Sequence, residues 1–188
     1  FSSLCWFITI LMKKQRDKFI GWVVIFTFAL LMNGCHNIEK PDISKSKLEL
    51  HAMRFEQDLF SPFSEDSSLS GMLKRKYGSF YDIFIWQLTR LGNGDEAITE
   101  FNLRKFAADT AMQSVFRLCS SRFSDFKSYD EKLTQAFKYY SYYFPKKPIP
   151  QPITTVSLFS YPVICDSTHL GISLDMYLDP GCSFYETL

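Results

Sequence analysis

The chain has 188 residues, 46% of them hydrophobic, 17% aromatic and 22% charged, with a formal net charge of +1. That apolar fraction suffices for one domain core of ordinary size and excludes a disordered chain, which is poor in such residues. The near-neutral balance excludes a strongly basic nucleic-acid binder. The chain opens on Phe1 rather than methionine and is expected to be a piece of a longer protein.

A basic run (Lys13, Lys14, Arg16, Lys18) precedes a 14-residue apolar run from Phe19 to Met32. The run falls short of the ~20 residues that a spanning helix needs. A positive start, a short apolar stretch and then small residues have the shape of a secretory signal peptide. Leu31, Gly34 and Cys35 resemble a bacterial lipobox, in which the cysteine receives lipid and becomes the first mature residue; Asn33 is a less usual occupant. Cys35 is therefore the expected lipidation site, against the alternative of an uncleaved anchor with an incidental cysteine. Translation is expected to begin at Met12, with Phe1–Leu11 as upstream read-through or a second hydrophobic segment.

Three parts follow: residues 1–34 as upstream run plus signal, 35–46 as tether, and 47–188 as a domain expected to be incomplete at its C-terminus. The first 34 residues hold four basic and one acidic side chain, which leaves 17 basic and 19 acidic beyond them, a net of −2. No basic stripe remains for phosphates, so no nucleic acid is expected as a partner.

In the domain, Leu48, Leu50 and Ala52 alternate with Glu49 and His51 as in a half-buried strand, closed by RFEQDLF at 54–60. Ser61-Pro62 breaks this element, and Ser64 with Glu65 and Asp66 marks the start of a helix that runs to Gly78. Residues 80–88 (FYDIFIWQL) suit a buried helix. Asn93 to Glu96 has the spacing of a capping box. The helix that it opens would turn Ile98, Phe101, Phe106, Met112, Val115 and Phe116 inward.

A second box, Ser128 to Glu131, would open a helix burying Leu133, Phe137 and Tyr140, ended by Pro145 and Pro148. Ile153–Tyr161 and Leu170–Leu178 read as two strands, a hairpin or sheet neighbours. One strand, several helices and then a C-terminal strand pair give an α+β class, helices packed on a small sheet.

Sequence signatures of catalysis are sparse. H-E-x-x-H, G-x-S-x-G, P-loop and G-x-G-x-x-G motifs are absent, and His36, His51 and His169 are scattered. No metal, cofactor or small-molecule substrate is expected. Asp166, Ser167 and His169 have the side-chain types of a hydrolytic triad, but neighbours in one turn rarely reach its geometry. Asp175 in the apolar LGISLDMYL stretch must be exposed, paired or hydrogen-bonded, and pointing to solvent or capping nearby backbone is the expected outcome. The aromatic run Phe137–Pro148 is expected to pack into the core with a tyrosine-rich rim. Cys119, Cys165 and Cys182 cannot all pair, and free thiols are expected, with Cys165–Cys182 the one bridge to consider.

The lipobox cysteine, RFEQDLF at 54–60, FKYYSYYFP at 137–145, ITTVSLFSYP at 153–162 and LGISLDMYL together resemble the gliding-motility lipoprotein family GldB of the Bacteroidetes. Ser173 stands where a glycine is common there, and Asp179 where a glycine usually follows YL. The resemblance runs from Cys35 to the last residue and implies the N-terminal portion of a longer protein. It implies a cell-envelope lipoprotein anchored through palmitate-type lipid on Cys35, required for gliding and its associated secretion machinery. Its partners would be other gliding and secretion proteins. The outer membrane, periplasmic side, is expected ahead of the inner membrane. The role implied is structural or interactive, not enzymatic. The family also looks distantly similar to zinc-peptidase-like domains, so the alternative is an exported metallopeptidase-like enzyme whose active-site half lies beyond residue 188.

Overall fold

The computed structural model describes residues 40–62, 64, 67–93 and 97–187. The signal segment, Cys35, residues 36–39 of the tether and Gly94–Glu96 of the first capping box lie outside the described residues. Residues 42–188 form one compact unit.

The fold is α+β, with helices packed on a four-stranded mixed sheet. Strand β1 (Met53–Arg54) runs directly into helix α1 (Phe55–Leu59), so RFEQDLF is mostly a short helix and not the end of a strand. The residues before it, Leu48 to Ala52, keep the alternating burial but are extended chain without a ladder partner. Helix α2 (Leu69–Tyr77) starts at Ser68, whose hydroxyl accepts the Gly71 N–H at 2.9 Å, later than the predicted Ser64. Gly78 follows it at φ +54°, a conformation that costs glycine nothing, and turns the chain into α3 (Ser79–Asp82). A wide π-helical turn over Ile83–Leu88 continues α3. It points Phe84, Ile85 and Leu88 inward and leaves Trp86 exposed.

One long helix was expected after residue 96. The structure has two, α4 (Ala97–Ala108) and α5 (Thr110–Arg122), because the Asp109 carboxylate accepts the N–H groups of Ala111 and Met112 and starts a new helix. Phe106 is buried as expected, but Ile98 and Phe101 are exposed, correcting the predicted inner face; Thr99 and Leu103 face the core in their place. The break resets the helical phase, so Val115 is still buried.

Helix α6 (Lys127–Tyr143) begins one residue before Ser128, and Ser128 does not cap it. Asp125 accepts the Lys127 N–H at 2.9 Å. None of its 17 residues is fully buried, so the predicted core stripe of Leu133, Phe137 and Tyr140 is only half-buried.

The predicted C-terminal strands are shorter than expected and do not form a hairpin with each other. Strand β2 (Gln151–Thr155) pairs in parallel with β4 (His169–Ser173), and a missed strand β3 (Val163–Cys165) forms the antiparallel hairpin with β4. The order is β1-β2-β4-β3. Two 3-10 turns follow, Leu174–Tyr177 and Ser183–Thr187.

Register gives the sheet two unlike faces. Met53, Ile153, Gly171 and Ile164 are partners on one face and pack against α1 to α4. Phe55 is the hub there, with ring centroids of Tyr77, Phe80 and Phe84 at 4.8, 5.5 and 4.6 Å. Gly171 is required at its position, since a Cβ would come within 2.6 Å of the Phe80 ring. The opposite face carries Arg54, Thr154, Ile172 and Val163. A smaller cluster of Val115, Cys119, Phe123, Val156 and Leu174 forms beside α5.

Candidate interaction groove

Helix α6 is attached to the extended segment before β1 by polar contacts. Thr134 Oγ1 accepts the Leu50 N–H at 3.0 Å, and Asp130 accepts the Ala52 N–H at 2.9 Å. These bonds satisfy the extended backbone beside the sheet edge, where unpaired groups invite foreign strands. Held in this way, the helix leaves a groove between itself and the C-terminal end of the sheet. The groove has a volume of about 540 Å³, within the range of ligand and peptide sites. Phe126, Tyr129, Leu133 and Ala136 form one wall, and Ile172, Leu174 and Tyr177 the other. Arg122 and Lys132 also line it.

A buried ion pair holds two of the groove's lining residues, Phe123 and Phe126. Glu56 is 1% exposed, accepts from Arg54 Nε at 2.7 Å and from Thr154 Oγ1 at 2.7 Å. The same guanidinium donates to the Phe123 carbonyl at 3.2 Å and lies over the Phe126 ring at 4.9 Å. Arg54 thus ties β1 and α1 to the turn between α5 and α6. An Arg–Glu pair two residues apart in the apolar RFEQDLF was the signal for it, and sequence reasoning missed it.

Asp175 follows Leu174 of the groove wall in the chain. It is wholly buried, not solvent-facing, and it does cap backbone. Its carboxylate accepts the Phe159 N–H at 2.7 Å and the Ser157 N–H at 3.1 Å. Those donors belong to a bend where Leu158 and Phe159 both have positive φ, 60° and 56°. Two successive left-handed non-glycine residues cost of order 1–3 kcal/mol each and persist only when their surroundings hold them. Burial raises the Asp175 pKa above the usual carboxylate value, against the lowering by the Phe159 and Ser157 N–H groups. Burial likewise pushes the neighbouring Cys119 thiol up to about 12, with Asp175 adding to the shift, so Cys119 is an inert thiol.

The predicted triad residues are partly brought together, with a different serine. Ser79 Oγ donates to Asp166 Oδ2 at 2.9 Å and lies 3.2 Å from His169 Nδ1, while Asp166 Oδ2 is 3.2 Å from the same nitrogen. Ser167 is exposed and outside the cluster. A proton relay needs serine and carboxylate on opposite imidazole nitrogens. Here both crowd Nδ1. Asp166 instead organises its own turn, accepting the N–H groups of Thr168 and His169 at 2.6 Å each. Burial would raise its pKa, but these bonds and those from His169 and Ser79 prevail and hold it well below the usual value. Cys119, Cys165 and Cys182 are free thiols, so the Cys165–Cys182 bridge does not form. Among the described residues, no three His, Cys, Asp or Glu side chains gather as a metal site. None of the described helices is long and apolar enough to cross a membrane.

The class that the structure defines is an α+β domain with a well-packed aromatic core on one sheet face and an open, largely apolar groove on the other. The particular family follows from comparison: the model of the gliding motility protein GldB family matches residues 36–188, and the chain belongs to that family. It is a family of gliding-motility lipoproteins, which points to the cell envelope. No curated protein and no solved structure matches the chain.

Proposed function

We propose that the protein is a membrane-anchored lipoprotein of the gliding apparatus and its associated secretion machinery. In this reading lipid on Cys35 holds the domain at the periplasmic side of the outer membrane, and the domain serves as a non-enzymatic interaction component. The groove walled by α6 and β4 carries the reading, because it offers aromatic and aliphatic surface of the kind that protein partners fill. The buried carboxylates beside it support the same view. Glu56 is committed to Arg54 and Thr154, and Asp175 to two backbone N–H groups, so both carboxylates hold the fold together.

The test is made in the parent organism with two variants. Cys35→Ala is expected to release the protein from the membrane fraction and abolish gliding. Leu133→Glu, in the groove wall, is expected to leave the protein anchored and folded but the cells non-motile. Unchanged membrane attachment and motility in Cys35→Ala would remove both the anchor and the role, and normal gliding in Leu133→Glu would remove the groove from it.

A further inference from the structure

The last turn of α6 carries a patch that folding does not use. Tyr142, Tyr143 and Phe144 are consecutive and 58%, 55% and 53% exposed, and Lys146 and Lys147 follow them, also exposed. The patch is an ordered knuckle. The Phe144 N–H donates to the Tyr140 carbonyl at 2.8 Å, and the Lys147 N–H to the Phe144 carbonyl at 3.0 Å. The Tyr142 and Tyr143 rings meet edge to face at 5.2 Å. Residues 132–165, which include it, contain Lys132, Lys138, Lys146 and Lys147 and no Asp or Glu. Neither Lys146 nor Lys147 has a carboxylate partner among the described residues.

The path of the chain gives this patch its meaning. Ala52 bonds to Asp130 and Leu50 to Thr134, so the extended segment runs antiparallel to α6. Two extended residues advance about 6.6 Å and four helical residues about 6 Å, so the two stay in step. Continued backwards at that pitch, the segment would reach the level of Tyr142 near Ser46. The described chain would then enter the domain at the aromatic, lysine-bearing end of α6. Ten residues lie between Cys35 and Ser46, a reach of at most about 40 Å. Helix α6 itself is about 25 Å long.

We propose that this end of the domain, Tyr142, Tyr143, Phe144, Lys146 and Lys147, docks on the bilayer surface and binds anionic phospholipid headgroups. The inference rests on the lipid-anchor reading of Cys35. Tyrosine suits the headgroup level, with an apolar ring and a polar tip; Phe144 enters the acyl boundary, and the lysines meet phosphates. The short tether keeps the patch at high effective concentration near the membrane, so weak contacts suffice. The domain would then stand with α6 steep to the membrane and its groove facing sideways.

The experiment uses the mature lipidated protein in vesicles of phosphatidylethanolamine, with or without about a third phosphatidylglycerol as the anionic probe. In a Trp86→Phe background, Phe144→Trp reports depth through quenching by lipids brominated high on the acyl chain. Strong quenching is expected in the anionic vesicles and weak quenching in the neutral ones. Lys146→Glu with Lys147→Glu is expected to lower the docked-to-undocked ratio at least about twentyfold, from about fivefold per lysine, while the protein still floats with the vesicles. Absence of quenching in protein that floats overturns the proposal and leaves the anchor standing. Equal quenching in both vesicle types overturns the role of the lysines. Protein that does not float overturns the anchor reading and this inference together.

Discussion

Removing the Asp175 carboxylate tests whether it holds the left-handed bend at Leu158 and Phe159. In Asp175→Ala the N–H groups of Ser157 and Phe159 lose their buried acceptor. Each buried donor left unmade costs about 1–3 kcal/mol, and the bend loses the contacts that offset its backbone strain. A destabilisation of about 3 kcal/mol follows, or roughly 6–12 °C in Tm for a domain of this size. Asp175→Asn keeps one oxygen where Oδ2 accepts both N–H groups and is expected to cost about 1 kcal/mol.

The two variants also separate charge from hydrogen bonding. The folded-state pKa of Asp175 is raised by burial above its ordinary 3.8, so its stabilising contribution is complete below that value and is lost as pH rises through the folded value. The stability gap between wild type and Asp175→Asn should therefore shrink as pH rises above 3.8. Urea unfolding followed by circular dichroism across that range measures both effects. Asp175→Ala within about 0.5 kcal/mol of wild type, the scatter of ordinary surface changes, or a gap that widens with pH, would refute the reasoning.

Glu56→Gln leaves the Arg54 guanidinium, 15% exposed, without its counter-charge and is expected to cost about 3 kcal/mol in urea unfolding. The double change Arg54→Met with Glu56→Leu should recover most of that loss, because no buried charge is left alone. Gly171→Ala places a methyl group 2.6 Å from Phe80 and 3.1 Å from Ile164; a loss of about 1–3 kcal/mol is expected by thermal melting, and Phe80→Leu in the same chain should relieve part of it. Asp166, whose pKa is lowered, contributes stability that is present above pH 3.8 and lost as pH falls through its folded value. Asp166→Asn should therefore flatten the acid side of the stability curve, as read by unfolding midpoints between pH 5 and 2.

The sequence carried the α+β class, most helix positions and the family, because these rest on local periodicity and on motifs such as RFEQDLF and LGISLDMYL. It did not carry the break at Asp109. A capping aspartate inside an apolar pattern reads the same whether a helix continues or restarts, and only the tertiary phase of Leu103 and Val115 decides. Strand β3 was missed because three residues after a proline show no period. The bend at Leu158 and Phe159 was missed because β-branched and aromatic neighbours favour strand, and left-handed conformations there are held by a carboxylate sixteen residues away. Asp175 itself was legible as an anomaly, and its role as a backbone cap was among the expected outcomes. The groove was the least legible feature. Its walls come from residues 122–136 and 172–177, and Tyr129, Leu133 and Ala136 look like any core stripe until the sheet is known to leave them uncovered.

That uncovered stripe follows from the way α6 is held. A surface helix is normally fixed by burying its apolar face, and then nothing apolar remains to offer. Here Asp130 and Thr134 bond to the backbone of Ala52 and Leu50, and Arg54 stacks on Phe126, so the helix is placed by polar and cation–aromatic contacts. The aromatic core on the other sheet face supplies the stability through Phe55, Phe80 and Phe84, none of which touches the groove. Position and burial are thereby uncoupled along α6. Its middle presents an apolar stripe to the groove, and its last turn presents an aromatic and cationic knuckle at the end where the chain enters. A charge placed in the groove wall, as in Leu133→Glu, should consequently alter what the domain meets far more than how stably it folds.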